Sequence, residues 1–168
     1  MALIIETGSV VPNANTFISL DDFKAYCILV GYLIETTDDE VSAALVRSAN
    51  YLENRYRTRW VGSKASRDQA LSWPRKNVYD EDDYSYDSDV VPYIVSKAQC
   101  EVAIRDLKGE LSVDDNPDNR ITKRSEKLVN GLSEESVEYA KPTSTVTEID
   151  RIVGPLLTST RQIRLVRG

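Results

Sequence analysis

Both tryptophans of this chain stand among cations, in Arg55-Tyr56-Arg57-Thr58-Arg59-Trp60 and in Trp73-Pro74-Arg75-Lys76. Rings that stack on bases, interleaved with cations that neutralise phosphate, are the chemistry of single-strand recognition. The same mixture anchors protein interfaces and loops packed on helices. Overall charge helps to weigh the two. With 21 basic against 27 acidic residues the chain carries −6, whereas phosphate neutralisation supplies most non-specific affinity and favours basic proteins. Arg55, Arg57, Arg59, Trp60, Trp73, Pro74 and Arg75 are therefore read as interface or packing residues, with DNA contact as the alternative.

A second group is acidic: Asp80, Glu81, Asp82, Asp83, Asp87 and Asp89, interleaved with Tyr79, Tyr84 and Tyr86. Carboxylates at this density can hold a hard cation, but the glycine and the closing glutamate of a calcium loop are missing. A solvated loop or partner-docking surface is the favoured reading, and no metal is expected. The chain contains no histidine, which removes the commonest general base and metal ligand. Gly62-Ser63-Lys64 is too short for a phosphate loop. No nucleophile and base pair emerges, so neither an enzyme nor a cofactor is expected. Cys27 and Cys100 form no CxxC pair and read as small buried residues rather than a disulfide.

The elements that must position these residues follow from periodicity and punctuation. The expected fold is mainly α: a small bundle of about four helices with a β-hairpin and extended N- and C-terminal arms, in a single domain over residues 1–168. Residues 1–18 read as an extended arm. Residues 19–110 form the helical core, with a loop over 60–90. Ser19 caps a first helix over 20–30, with Asp21 and Asp22 in its first turn and Gly31 as its stop. A second starts near Asp38, where Val41, Ala44, Leu45, Ser48, Leu52 and Tyr56 recur at helical spacing. A third opens at Pro92 and runs to Leu107, with Gly109 beyond it, and its wide apolar surface implies a central place. After a polar loop at Asp114–Asn119, Asn130-Gly131 predicts a tight hairpin within 120–140. Ser144 or Thr147 caps a last helix that Gly154-Pro155 closes. The closing segment 156–168 carries Arg161, Arg164 and Arg167 and no acid, so it calls for an acidic partner, nucleic acid or solvent. No run approaches the roughly 18 apolar residues of a membrane span, and no secretory leader is evident.

In order along the chain, Glu6-Thr7-Gly8-Ser9, Asn13-Ala14-Asn15-Thr16-Phe17-Ile18-Ser19-Leu20, Ala43-Ala44-Leu45-Val46-Arg47-Ser48-Ala49-Asn50-Tyr51-Leu52-Glu53, the Trp73-Pro74-Arg75 loop, Val91-Pro92-Tyr93-Ile94-Val95 and Arg164-Leu165-Val166-Arg167-Gly168 resemble the head-completion, or head-to-tail adaptor, proteins of tailed phages. Related sequences are often catalogued as DnaT-like single-stranded-DNA-binding proteins. The resemblance implies a structural adaptor whose copies form a ring, twelve-fold by analogy, beneath the portal protein. Such a ring extends the DNA channel and docks a downstream neck, stopper or tail-terminator protein, while genomic double-stranded DNA passes without sequence recognition. The expected place is the virion neck, reached by assembly in the host cytoplasm. On this reading the acidic residues line the channel or face a partner. Leu156, Leu157, Arg161, Arg164, Leu165 and Arg167 dock the portal, and residues 156–168 are removable without loss of the fold. The alternative is a DnaT-like single-stranded-DNA-binding protein of replication.

Overall fold

Ser19 opens the first helix, α1 (Leu20–Val30): its hydroxyl accepts the Asp22 amide at 3.0 Å, satisfying one of the free N–H groups at a helix start. The helix stops at Gly31, whose φ of +71° suits the left-handed turn that lets its own amide and that of Tyr32 return to the carbonyls of Ile28 and Cys27. The computed structural model from which this geometry is taken describes residues 2–80, 82–111, 121–129, 132–139 and 148–158. Thr37 caps the longest helix, α2 (Asp38–Tyr56), by accepting the Glu40 amide. Every position of its expected apolar stripe, from Val41 to Tyr56, is buried.

α3 (Tyr93–Leu107) begins one residue later than expected. Pro92 stands at the cap in an extended conformation, ψ 141°, and not within the first turn. Buried Val95, Ala98, Cys100, Val102 and Ala103 surround much of this helix, so it occupies the centre that its sequence implied. It packs on α2, and Arg47 crosses between them to Asp106 at 2.7 Å while also holding Glu40. α4 (Glu148–Val153) lies against α3. It ends at Val153, so Gly154-Pro155 closes it as expected. The chain continues as a 3-10 turn, Gly154–Leu156, because a proline near the start of a turn lacks only an N–H that has no partner there anyway.

Two two-stranded antiparallel ribbons complete the described residues. The first, unforeseen, pairs β1 (Ser63–Lys64) with β2 (Arg75–Lys76). The second pairs β3 (Ile121–Val129) with β4 (Leu132–Tyr139), closing at Val129 opposite Leu132 with a register shift between Ile121 and Lys123. This hairpin brackets Asn130-Gly131, the pair that predicted it. Those two residues, the Asp114–Asn119 loop and the caps proposed at Ser144 and Thr147 lie outside the described residues. Four α-helices and a long β-hairpin among the described residues give the mainly α architecture that the sequence implied.

The N-terminal segment is extended, as expected, but polar side chains lock it to the helices. The buried Glu6 carboxylate accepts the amides of Gly8, Val10 and Val11 at 2.9–3.0 Å. This turns the chain so closely that a Cβ on Gly8 would lie 1.9 Å from the Asp89 carbonyl oxygen. From α3, buried Gln99 accepts the Phe17 amide and donates to Thr16 Oγ1 and to the Leu45 carbonyl, each at 2.8 Å. One side chain thereby joins the N-terminal segment, α2 and α3. Cys27 and Cys100 are both buried and free, and burial pushes their thiols up to about 11 and about 12. No helix among the described residues is long and apolar enough to cross a membrane.

Candidate nucleic-acid interface

The loop between α2 and α3 folds its aromatic rings inward. Trp73 is fully buried and Trp60 is 4% exposed, and the rings meet edge to face at 5.7 Å and 82°, the geometry that aromatic quadrupoles prefer. Tyr56 joins them at 5.5 Å from Trp60. Neither indole N–H has a hydrogen-bond partner among the described residues. A buried ring has no face left for a nucleobase, so the proposed stacking platform is absent at Trp60 and Trp73.

Arg75 is also buried. Its guanidinium donates to the carbonyls of Val61 at 2.6 Å, Gly62 at 2.8 Å, Ser72 at 3.2 Å and Trp60 at 3.4 Å. Burial depresses its pKa, while Glu53 opposes the shift. Around this cage, Glu53 accepts both the amide and the hydroxyl of Ser72. Gln69 donates to the carbonyls of Leu71 and Pro74 and accepts the Ser66 amide. Gly62 takes φ +69°, and a Cβ there would stand 2.3 Å from the Lys76 carbonyl oxygen. Pro74, joined to Trp73 by a cis peptide, is buried with them.

The remaining arginines divide. Arg55 pairs with Asp150 of α4 at 2.8 Å, and Tyr56 donates to the same carboxylate at 2.9 Å. Arg55's own hydrogen bond to Asp150 is the main cause of its raised pKa. Arg59 is exposed, with its guanidinium 3.9 Å from Asp150 and over the Tyr56 ring. Arg57 is exposed and makes no side-chain hydrogen bond or ion pair among the described residues. Thus Arg55 and Arg75 serve the fold, whereas Arg57 and Arg59 meet solvent at the end of α2.

The model of a family described as "Putative DnaT-like ssDNA binding protein" matches residues 1–168. The chain belongs to this family. No curated protein and no solved structure matches it. In this DnaT-like chain the single-strand contacts proposed at Trp60, Trp73 and Arg75 are therefore replaced, as candidates, by the exposed cations.

The closing segment starts beside those cations. The Val61 amide donates to the Leu156 carbonyl at 3.0 Å, and the Thr158 amide donates to the Arg59 carbonyl at 2.6 Å. Leu156 itself is fully buried and Leu157 bridges Trp60. This corrects the expectation that residues 156–168 are removable without loss of the fold, because Leu156 belongs to the core. Arg161, Arg164, Leu165 and Arg167 lie outside the described residues.

The acidic stretch is a small loop organised by its own backbone. Asp80 Oδ1 accepts the amides of Asp82 and Tyr84, and the Tyr86 amide returns to the Val78 carbonyl. Asp82, Asp83, Asp87 and Asp89 are exposed, as are Tyr79 and Tyr84; Glu81 lies outside the described residues. Among the described residues no group of three or more histidine, cysteine or acidic side chains is placed to hold a metal ion. Sequence reasoning missed Glu6, Gln69, Gln99 and Asp150. Gln99 and Asp150 meet partners far along the chain, whereas Glu6 and Gln69 bond groups within five residues of themselves, and no residue pattern near either announces a buried polar turn.

Proposed function

We propose that this DnaT-like protein binds single-stranded DNA through the exposed cations at the end of α2, not through its tryptophans. The observation that carries the reading is the family match over residues 1–168. The exposure of Arg57 and Arg59 at the end of α2 supports the reading, and Arg161, Arg164 and Arg167 of the closing segment are further candidates by charge alone. Exposed arginines can attract phosphate locally despite the net charge of −6. Fluorescence anisotropy with a labelled oligothymidine tests it. Arg57→Glu with Arg59→Glu should weaken binding at least about tenfold and lower the salt slope by roughly 1.4, since each of the two single-strand phosphate contacts contributes roughly 0.7. Unchanged affinity in this variant, or no binding by the wild-type protein, removes the reading.

A second reading is favoured by the exposed aliphatic side chains of Ile28, Leu29 and Leu33, together with the acidic loop. These surfaces suit an assembling structural protein: the head-to-tail adaptor, ringed beneath a portal protein, with an acidic wall that lets double-stranded DNA slide. Quantitative mass spectrometry of nuclease-treated virions should then find about as many copies as of the portal protein. Its absence from particles would leave the single-strand reading alone.

A further inference from the structure

We infer, resting on the single-strand reading, that the site continues from the end of α2 onto the open face of the β1–β2 ribbon, where Lys76 and Ser63 hold a further phosphate. Charge along the chain points there first. Residues 55–76 contain five arginines, two lysines and a single acid, Asp68, in a chain whose acids outnumber its bases by 27 to 21. The structure sorts these cations. Arg55 and Arg75 are engaged within the fold, Lys64 donates to the Gln69 carbonyl, and Arg67 has Asp68 beside it. Lys76 is exposed and makes no side-chain hydrogen bond or ion pair among the described residues. Register sets its direction. Arg75 is buried, so alternation along β2 turns Lys76 outward. Ser63 pairs with Lys76 and is exposed as well, and residues directly opposite in an antiparallel pair share a face. An ammonium and a hydroxyl are both phosphate donors.

Proximity joins this face to Arg57 and Arg59. The Arg75 guanidinium holds the carbonyls of Trp60, Val61 and Gly62, which draws the chain leaving α2 alongside β2. Gly62 lies so near Lys76 that a Cβ on it would stand 2.3 Å from the Lys76 carbonyl oxygen. Arg59 precedes Gly62 by three residues, a span of at most about 11 Å. Four nucleotides, a small single-strand footprint, extend about 14 Å even at the spacing of a stacked duplex strand. One strand therefore reaches both ends. The neighbouring acids are already engaged, Glu53 by Ser72 and Asp150 by Arg55 and Tyr56. The acidic loop starts at Asp80, four residues past Lys76, and its repulsion of phosphate bounds the track on that side.

Anisotropy of labelled oligothymidine with the full chain, measured over a salt series, tests the inference. Lys76→Ala should weaken binding at least about threefold and lower the salt slope by roughly 0.7, the share of one phosphate contact. Ser63→Asp should weaken it as much with Lys76 intact, because a carboxylate directly opposite pairs with the ammonium and repels phosphate. Both positions are exposed, so neither variant should shift the melting temperature. Lys108→Glu, a larger change of charge at another exposed site, should bind like wild type. It is remote from the track: Leu52 and Tyr56 cluster with Val95 and Ala98, whereas Val41 and Leu45 cluster with Ala103 and Ile104, so α2 ends where α3 begins and Lys108 stands at the other end. Equal losses in Lys108→Glu and Lys76→Ala would reduce the effect to net charge and overturn the inference. So would Lys76→Ala and Ser63→Asp proteins that bind like wild type; if Arg57→Glu with Arg59→Glu still weakens binding, the single-strand reading then stands without the ribbon. A wild-type protein that binds no oligothymidine removes both.

Discussion

Trp73→Ala should lower stability by about 3–5 kcal/mol, the cost of emptying a site filled by a large aromatic ring. Native domains hold only about 5–15 kcal/mol in total, so much of the protein's stability would go, and the melting temperature should fall by on the order of 10 °C. Trp73 is the largest of the fully buried side chains, and its ring meets Trp60 edge to face. Its removal uncovers a neighbour whose indole N–H already has no partner among the described residues. Trp73→Phe should cost far less, about 1–2 kcal/mol, because the ring contact survives and the deleted N–H bonds nothing there. The pair of variants separates packing from stacking. Were Trp73 a platform for bases, alanine would abolish oligonucleotide binding at an unchanged melting temperature. The burial seen here requires the reverse order: thermal denaturation moves, and binding by the protein that remains folded does not.

The helices were legible in the sequence because their signals are local. Ser19, Gly31 and Gly109 act within one turn of themselves, and the stripe from Val41 to Tyr56 needs only helical periodicity to be read. The hairpin was legible for the same reason, since Val129 and Leu132 face each other across the predicted Asn-Gly pair. Part of what escaped depends on distance. Gln99 reaches backbone groups of Phe17 and Leu45, and nothing near residue 99 announces either partner. Glu6 resembles an ordinary surface acid until three amides close on it. The exposure of Ile28 and Leu29 also depends on packing, because α1 is covered on one side only. The candidate site was legible in its residue types but not in its orientation. A tryptophan between arginines has the same sequence whether its ring faces the core or solvent, and only the packing of the 60–75 loop on α2 and α3 decides.

Arg75→Ala carries the comparable effect on the polar side of that loop, about 3–5 kcal/mol, the range for removing one partner from a buried charged network. The guanidinium holds four carbonyls, from Trp60, Val61, Gly62 and Ser72, and so clamps the segment that leaves α2 onto the segment that enters β2. Without it those acceptors remain in a site too crowded for easy rehydration; each buried, unpaired group costs about 1–3 kcal/mol, less than additively. Arg75→Lys should recover only part of the loss, because an ammonium at one point cannot span acceptors that a planar fork reaches on several sides. Glu53 would also lose its cation, weakening its hold on Ser72. An arginine that served phosphate would behave otherwise. Its removal would spare the melting temperature, weaken oligonucleotide binding across sequences and reduce the salt slope by about one. Thermal denaturation and anisotropy on Arg75→Ala therefore distinguish a clamp from a contact, and with Arg57→Glu and Arg59→Glu as the converse pair, the cations of one loop divide into those that build the fold and those that face the ligand.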